Sequence, residues 1–290
     1  MEKKKKKLRA WQKAAVAFAT VLGVLLIIFS GLEIAFVVAD GIECWSPDYA
    51  RVDLTEILNK TELTDEDYSL LYDQTGLTKT GINRALARGD SGKRKIKDIQ
   101  NDFFEKHEVK NAKFAPLVCT DYIEKSVENI YLEKGDILIT SSTHISGVRI
   151  GHAGLIVNGD YGQVLQANAY GNKSRIDSGS AGAGEFTRRT NFMVFRIKDE
   201  IANGQKIEEI VDYAANNLVG IPYEGLAGLV TDKNKIDKTQ CAHIIWYAFK
   251  QFGIDLDCNG GLLVTPYDIA NSECVELVQV FGFDKDRLWK

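Results

Sequence analysis

The hydrophobic and polar positions of this chain follow three patterns in succession, and the first is the simplest. Residues 14–32 are 19 positions without a charged side chain, and the apolar character continues to residue 39. At ~1.5 Å per residue, a helix of about 19 to 25 residues spans the ~30 Å hydrocarbon core of a bilayer. This pattern predicts a transmembrane helix over residues 14–39, behind a basic tail of residues 1–13.

The second pattern is helical and amphipathic. Between residues 51 and 107, apolar positions recur every three or four residues, which is typical of helices that bury one face. Thr64 precedes three acidic residues and is predicted to cap one of these helices. The charged stretch 87–95, which contains two glycines, is expected to be a loop.

The third pattern begins near residue 116 and is β-rich. Short apolar runs alternate with turn residues such as Asn-Gly, which favours an antiparallel sheet with strands within 135–142, 151–159, 163–170 and 191–199. Two helices are predicted at 206–220 and 241–253, each ending at a glycine. The glycine-rich segment 177–186 is expected to be a flexible loop. It is not a phosphate loop, because it lacks the Gly-Lys-Ser/Thr ending that such a loop requires. The predicted fold class is therefore α+β.

Charge is distributed unevenly along the 290 residues, whose formal net charge is -4. The first 13 residues carry +6, Glu33 adds -1, and residues 40–290 therefore carry -9. So acidic a body excludes a general nucleic-acid-binding protein, which needs clustered Lys and Arg. The basic tail is expected to stay in the cytoplasm, with residues beyond about 40 outside the cell.

A cleaved signal peptide is the alternative to a membrane anchor. Val37 and Ala39 are small residues that can precede a cut before Asp40. The apolar stretch is longer than the 7 to 15 residues, roughly, of a signal-peptide core, and its length favours an uncleaved signal anchor.

An odd number of cysteines in an exported chain implies at least one free thiol. The spacing includes no Cys-x-x-Cys pair, which argues against a zinc ribbon or a disulfide scaffold built on Cys44, Cys119, Cys241, Cys258 and Cys274. Cys241 directly precedes an amphipathic helix, whose positive dipole end is expected to lower the thiol pKa from about 8.5. A small buried apolar residue is the alternative interpretation.

The chain has four histidines, and His152 is the candidate general base among them. His152 opens an apolar strand between Gly151 and Gly154, where an imidazole can approach a thiol on a helix and accept its proton. A structural histidine is the alternative. His144 is expected to be solvated, and His243 to point away from the His152 side of Cys241.

Several motifs together resemble a known family: GDILIT, GHAGLIV, VLQA, GIPY, TQCAHIIWYAFKQFGIDL and VTPYDIANS. They resemble the circularly permuted branch of the NlpC-type papain-like cysteine peptidases, the YiiX-like proteins, over about residues 130–275. His152 precedes Cys241 by 89 residues, the reverse of the unpermuted order, which implies the permuted topology. The resemblance implies a papain-like antiparallel sheet packed on helices, preceded by the transmembrane helix and a small helical segment.

The same resemblance assigns roles to individual residues. Cys241 becomes the nucleophile, His152 the base, and Gln166 the residue that orients the imidazole, at a position where permuted relatives often have Glu. Asn168 has the same strand parity and is the second choice for this role. Tyr223 matches a tyrosine that lines the family's cleft and can assist in holding an oxyanion, with a surface turn as its alternative.

The implied protein is a membrane-anchored, extracytoplasmic thiol hydrolase. It would cleave amide bonds, with cell-wall peptides as the substrate class, through an acyl-enzyme and without a cofactor or metal. One alternative is a lipid acyltransferase or deacylase of the lecithin:retinol acyltransferase type, which shares the permuted fold and the Cys-x-His at 241–243. Another is a non-catalytic binding module. Residues 116–290 would form the catalytic domain, and the helical segment 40–115 has no assigned role.

Overall fold

The computed structural model describes residues 9–39, 44–110, 118–145, 148–285 and 288. Its first helix, α1, is Ala10–Ala39. Within it, the 23 residues Ala10–Leu32 have a mean hydropathy of 2.5 and none of them is buried. This helix is therefore long and apolar enough to cross a membrane, although a signal sequence near an N-terminus has the same properties. Most of the basic tail, residues 1–8, lies outside the described residues.

The predicted helical segment contains helices α2 (Asp65–Thr75), α3 (Lys79–Leu86) and α4 (Asp90–Phe104), and a short 3₁₀ turn, Ile57–Asn59. Thr64 caps α2 as predicted: its side chain accepts a hydrogen bond from the Asp67 N–H, and the Asp67 carboxylate accepts one from the Thr64 N–H. The expectation of a loop over 87–95 is wrong beyond Gly89. The chain turns at Gly89, with a φ of 64°, and α4 starts at the next residue because its apolar face is buried from Ile96 onward.

The central sheet is antiparallel and has six strands in the order β11-β10-β4-β7-β8-β9. The four predicted strands form β4 (Ile137–Thr140), β7 (His152–Asn158), β8 (Gln163–Gln166) and β10 (Phe192–Ile197). The sheet also contains β9 (Arg175–Asp177) and β11 (Val275–Phe281), which the sequence pattern did not predict.

Short strands form two smaller sheets beside it. One pairs β1 (Val109–Lys110) with β3 (Tyr122–Ile123), and the other has the order β2-β5-β6, made of Val118–Thr120, Thr143–Ile145 and Val148–Arg149. The second sheet leads into β7, because the Thr143 carbonyl accepts a hydrogen bond of 2.9 Å from the Gly151 N–H.

The expectation of a flexible loop at 177–186 is wrong. This segment contains the end of β9, a 3₁₀ turn at Gly179–Ala181 and most of α5, which is Ala183–Thr187. It is ordered because it buries the Phe186 ring completely against β7. The remaining helices are α6 (Gly204–Asn217), α7 (Cys241–Lys250) and α8 (Pro266–Ala270), of which α6 and α7 match the prediction.

The two faces of the sheet have separate apolar cores, since successive side chains of a strand point to opposite faces. One core joins Ile137 and Ile139 of β4 to helices α6, α7 and α8. The other joins Leu138 of β4 to α2, α3 and α4. The protein is thus a mixed α+β structure in which helices cover both faces of an antiparallel sheet, as the predicted fold class states. All five cysteines are free thiols.

Candidate functional site

Cys241 is the first residue of α7, and this helix packs against β7. The preceding residue, Gln240, caps the helix: its Oε1 accepts a 2.7 Å hydrogen bond from the Ala242 N–H. The Cys241 Sγ lies beside the N–H of Ala153, the residue that follows His152. Helix α7 and strand β7 therefore bring the two predicted catalytic residues to one place.

The thiol is not activated at rest in the way that the helix dipole suggested. Burial raises the pKa of the Cys241 thiol above its ordinary value. The N–H groups of Ala153 and Ala242 and the charge of Arg189 act in the opposite direction without offsetting that effect. Only 8% of the residue is exposed, so loss of hydration dominates over the helix terminus.

His152 is held by a hydrogen-bonded chain through Gln166. The His152 Nε2 lies 2.8 Å from the Gln166 Oε1. The Gln166 Nε2 donates to the Asp177 Oδ2 at 2.8 Å and to the Ala181 carbonyl at 3.0 Å. Both of these partners are acceptors, so the amide nitrogen must face them and the amide oxygen must face His152. The imidazole therefore carries its proton on Nε2 and has its lone pair on Nδ1.

The same surroundings keep the imidazole neutral. Burial, with a further contribution from the Arg189 charge, lowers the pKa of His152 to about 3. Its ring stacks on that of Phe186, with 5.4 Å between centroids and an angle of 17°. Stacking and the Gln166 hydrogen bond together fix the orientation of the ring.

The resting site is therefore a neutral thiol beside a neutral imidazole. The Cys241 thiol donates its hydrogen bond to the Gln240 Oε1, at 3.3 Å, rather than to His152. Since the Nδ1 of His152 has its lone pair available, the chemistry open to this pair is proton transfer from sulfur to nitrogen followed by nucleophilic attack.

Tyr223 lies in the loop between α6 and α7, close to the thiol. Burial and, next, the charge at Cys241 raise the pKa of the Tyr223 hydroxyl. The ring packs edge-on against Tyr170, with 5.2 Å between centroids. Tyr170 is 66% exposed, so this aromatic pair extends from the neighbourhood of the thiol to the protein surface.

Three residues considered from the sequence lie away from this chemistry. Asn168 accepts a hydrogen bond from Arg175 at 3.2 Å, so Gln166 rather than Asn168 contacts His152. His243 is buried, with its ring nitrogens 3.0 Å from the Thr239 Oγ1 and 2.8 Å from the Lys233 carbonyl. The expectation that His144 is solvated is wrong: it is fully buried, with its Nε2 3.3 Å from the Asp121 Oδ2.

The sequence did not indicate other groups at this site: Gln240, Asp177, Phe186 and Arg189. Phe186 lies in the segment that was expected to be a flexible loop, and Arg189 lies three residues after it. Neither belongs to a motif with a fixed spacing to Cys241 or His152. Within the ranges that the structure describes, no three His, Cys, Asp or Glu side chains form a group that could hold a metal ion.

Comparison with known proteins adds little to this geometry. No family model matches the chain, and no curated protein matches it. A similar solved structure is the crystal structure of the metalloprotein yiiX from Escherichia coli O157:H7, DUF1105. It is 12% identical, has a TM-score of 0.37, and the match covers 50% of this chain and 96% of that one. The neighbour bears the YiiX name, whereas the relation to NlpC-type peptidases stays a prediction.

Proposed function

We propose that the protein is a thiol hydrolase that cleaves amide bonds through a Cys241 acyl-enzyme. The observation that carries this proposal is the juxtaposition of a thiol at the start of a helix with a strand whose histidine has a defined tautomer. Gln166 sets that tautomer, and the Asp177 carboxylate sets the orientation of Gln166.

The reaction begins when the thiol turns from Gln240 to His152. The sulfur gives its proton to Nδ1 and attacks the carbonyl carbon of the substrate, forming a tetrahedral oxyanion near the Cys241 N–H at the helix start. Tyr223 would donate a second hydrogen bond to this oxygen. As the C–N bond breaks, His152 returns the proton to the leaving amine, and water then hydrolyses the thioester with His152 again as base.

The substrate class follows from the location that we propose. Residues 14–39 would anchor the chain in the cell membrane, with the basic N-terminus in the cytoplasm and the site outside. Peptides of the cell wall are the amide substrates that a site in this location would meet.

An acyl-lipid substrate is the second candidate, and one surface favours it. The loop that follows Tyr223 exposes Leu226, Leu229 and Val230 by 45%, 54% and 59%. Gly228 of this loop packs against the Leu262 carbonyl, and the Leu262 side chain is 63% exposed. The Gly225 N–H of this loop donates to the Tyr170 hydroxyl, and the four exposed apolar side chains near this tyrosine suit a fatty-acyl chain or a bilayer surface.

The test uses the full-length protein with peptidoglycan and with membrane lipids in parallel, followed by identification of the products. Cys241→Ala and His152→Ala are expected to lower turnover by at least ~10³-fold, because the two residues act as a unit. Cys258→Ala, which removes an exposed thiol, is the matched control and should keep full activity.

Turnover that persists in Cys241→Ala would overturn the proposal. Release of peptide fragments supports the amidase, whereas an acyl group on Cys241, detected by mass spectrometry, supports the lipid enzyme. Turnover of neither substrate, with a Cys241 no more reactive toward iodoacetamide than Cys258, would favour the non-catalytic binding module.

A further inference from the structure

Arg189 is a buried cation next to the candidate site. The residue is 4% exposed and follows α5. Its Nη1 donates to the Thr143 Oγ1 at 2.6 Å, and its Nη2 donates to the Glu185 Oε1 at 3.1 Å. The Thr143 carbonyl in turn accepts from the N–H of Gly151, the residue before His152.

The Phe186 ring connects this cation to the imidazole. The Arg189 guanidinium lies over the ring, 5.4 Å from its centroid, and His152 stacks on the same ring. Among the residues that the structure describes, the titratable or charged groups that face Cys241 are Arg189, His152 on β7 and Tyr223 in the loop before α7. Of these, Arg189 alone is charged at neutral pH in the resting site.

The charges around Arg189 do not cancel. The Glu185 carboxylate is shared: Arg188 donates to its Oε2 at 2.8 Å, and Tyr122 donates to its Oε1 at 2.8 Å, the oxygen that also accepts from Arg189. Two guanidinium groups thus share one carboxylate. The Arg189 Nε, moreover, has no hydrogen-bond partner in the part of the chain that the structure describes.

An excess positive charge in a buried position is unfavourable unless an anion balances it. Asp177 does not serve, because it is occupied by Arg175 and Gln166. The anion that forms beside Arg189 is the Cys241 thiolate. In many thiol enzymes a resting imidazolium balances the thiolate. Here burial and the nearby guanidinium lower the pKa of His152, so that its imidazole is neutral at rest and holds the thiol's proton only during turnover.

We propose that Arg189 is the countercation of the Cys241 thiolate, a positioning residue that stabilises the nucleophile while His152 carries the thiol's proton on Nδ1 to the leaving group. This inference rests on the proposed function in one respect, the use of Cys241 as nucleophile. The role itself is electrostatic and is measurable without any substrate.

The experiment measures the alkylation rate of Cys241 by iodoacetamide in the full-length protein as a function of pH, with peptide mapping to separate it from the other thiols. Arg189→Met is expected to raise the apparent thiol pKa by at least about one unit, which is a tenfold slower reaction at a fixed pH below that pKa. Arg189→Lys should keep most of the wild-type rate because it keeps the charge.

Two neighbouring variants separate this role from a general effect of charge. Arg188→Met removes a 46% exposed arginine from the same carboxylate and should leave the profile unchanged. Glu185→Gln removes the shared carboxylate, increases the uncompensated charge of Arg189 and should speed alkylation at low pH. The double variant Glu185→Gln/Arg189→Met leaves no buried ion unpaired and reports on the thiol if Arg189→Met alone fails to fold.

The inference is overturned if the double variant and Arg189→Met both titrate as the wild type does, or if Arg188→Met shifts the profile as much as Arg189→Met. It is supported if Arg189→Met shifts the profile upward and Glu185→Gln shifts it downward. Failure of the proposed function gives a different pattern, in which these shifts are present but neither peptide nor lipid is turned over.

Discussion

At the scale of single residues, the contacts of Gln166 explain why an amide suits this position. The permuted proteins that the sequence resembles often have Glu at the position of Gln166. Here the side chain must donate as well as accept, because its nitrogen faces the Asp177 carboxylate and the Ala181 carbonyl. A carboxylate at 166 would place two negative groups about a hydrogen-bond length apart in a buried site.

Gln166→Glu is therefore expected to lower the stability of the folded protein. The variant should lose about 1 to 3 kcal/mol of unfolding free energy in urea, since two buried acceptors lose their donor. Adding Asp177→Asn provides a donor opposite the new carboxylate, so the double variant Gln166→Glu/Asp177→Asn should recover most of that loss. A Gln166→Glu protein as stable as the wild type would show that the amide does not bridge His152 and Asp177.

The sequence indicated Cys241, His152, Gln166 and Tyr223 at this site, and there are physical reasons why it missed others, Arg189 among them. Cys241, His152 and Gln166 lie in motifs whose local structure, a helix start and two strands, is predictable from periodicity. Arg189 reaches the site only because α5 folds back over β7. That contact is non-local, and no spacing in the sequence encodes it.

At the scale of elements, the sheet contains an edge strand, β11, that the sequence pattern did not predict, and its pairing is irregular. β10 pairs with β11 with a register shift, so that Val194 lies opposite Gln279 and Phe195 opposite Leu277. Val278 is the extra residue, and Val278 and Val280, which are two positions apart, pack in opposite cores. The bulge breaks the period of two on which strand prediction depends.

The close packing around Gly154 of strand β7 leads to a prediction at this scale. A methyl group there would collide with Val164 and lie 3.0 Å from the Phe186 Cζ. Gly154→Ala is expected to cost about 1 to 3 kcal/mol of unfolding free energy, as overpacking of a core does, and to displace the ring on which His152 stacks.

Urea unfolding and the rate of Cys241 alkylation check this expectation together. Gly204→Ala is the control, because a Cβ at the start of α6 meets nothing within 4 Å. It should be neutral or stabilising by up to about 1 kcal/mol. If Gly154→Ala matched this control in stability and thiol reactivity, the packing of Phe186 on β7 would not determine the geometry of the site.

At the scale of the whole molecule, the helical segment shares the sheet with the candidate site. Helices α2 to α4 cover one face and α7 covers the other, so each core contains side chains from the same strands. Leu77 and Gln279 also form an isolated bridge between the start of α3 and β11. The structure thus predicts one cooperative unit, although the sequence pattern divides the chain near residue 116.

Removal of the α2 cap tests that unity. Thr64→Ala abolishes the capping box with Asp67 and should reduce the unfolding free energy by about 1 kcal/mol. Two tryptophans report on the two faces: Trp45 packs edge-on against Phe103 of α4 at 5.8 Å, and Trp246 is buried in α7. The fluorescence of each is followed in a full-length variant whose other tryptophans are replaced by phenylalanine, and the protein is kept in detergent.

Because both cores depend on one sheet, we expect Thr64→Ala to lower the urea midpoint equally for the two reporters. A shift of the expected size shows that the cap has been lost. Equal shifts at Trp45 and Trp246 show that the two cores unfold as one unit. Thr55→Ala, which removes an exposed hydroxyl from the turn at Asp53, is the control and should move neither midpoint appreciably. A shift confined to Trp45 would mean that the helical segment unfolds on its own and that the site does not depend on it.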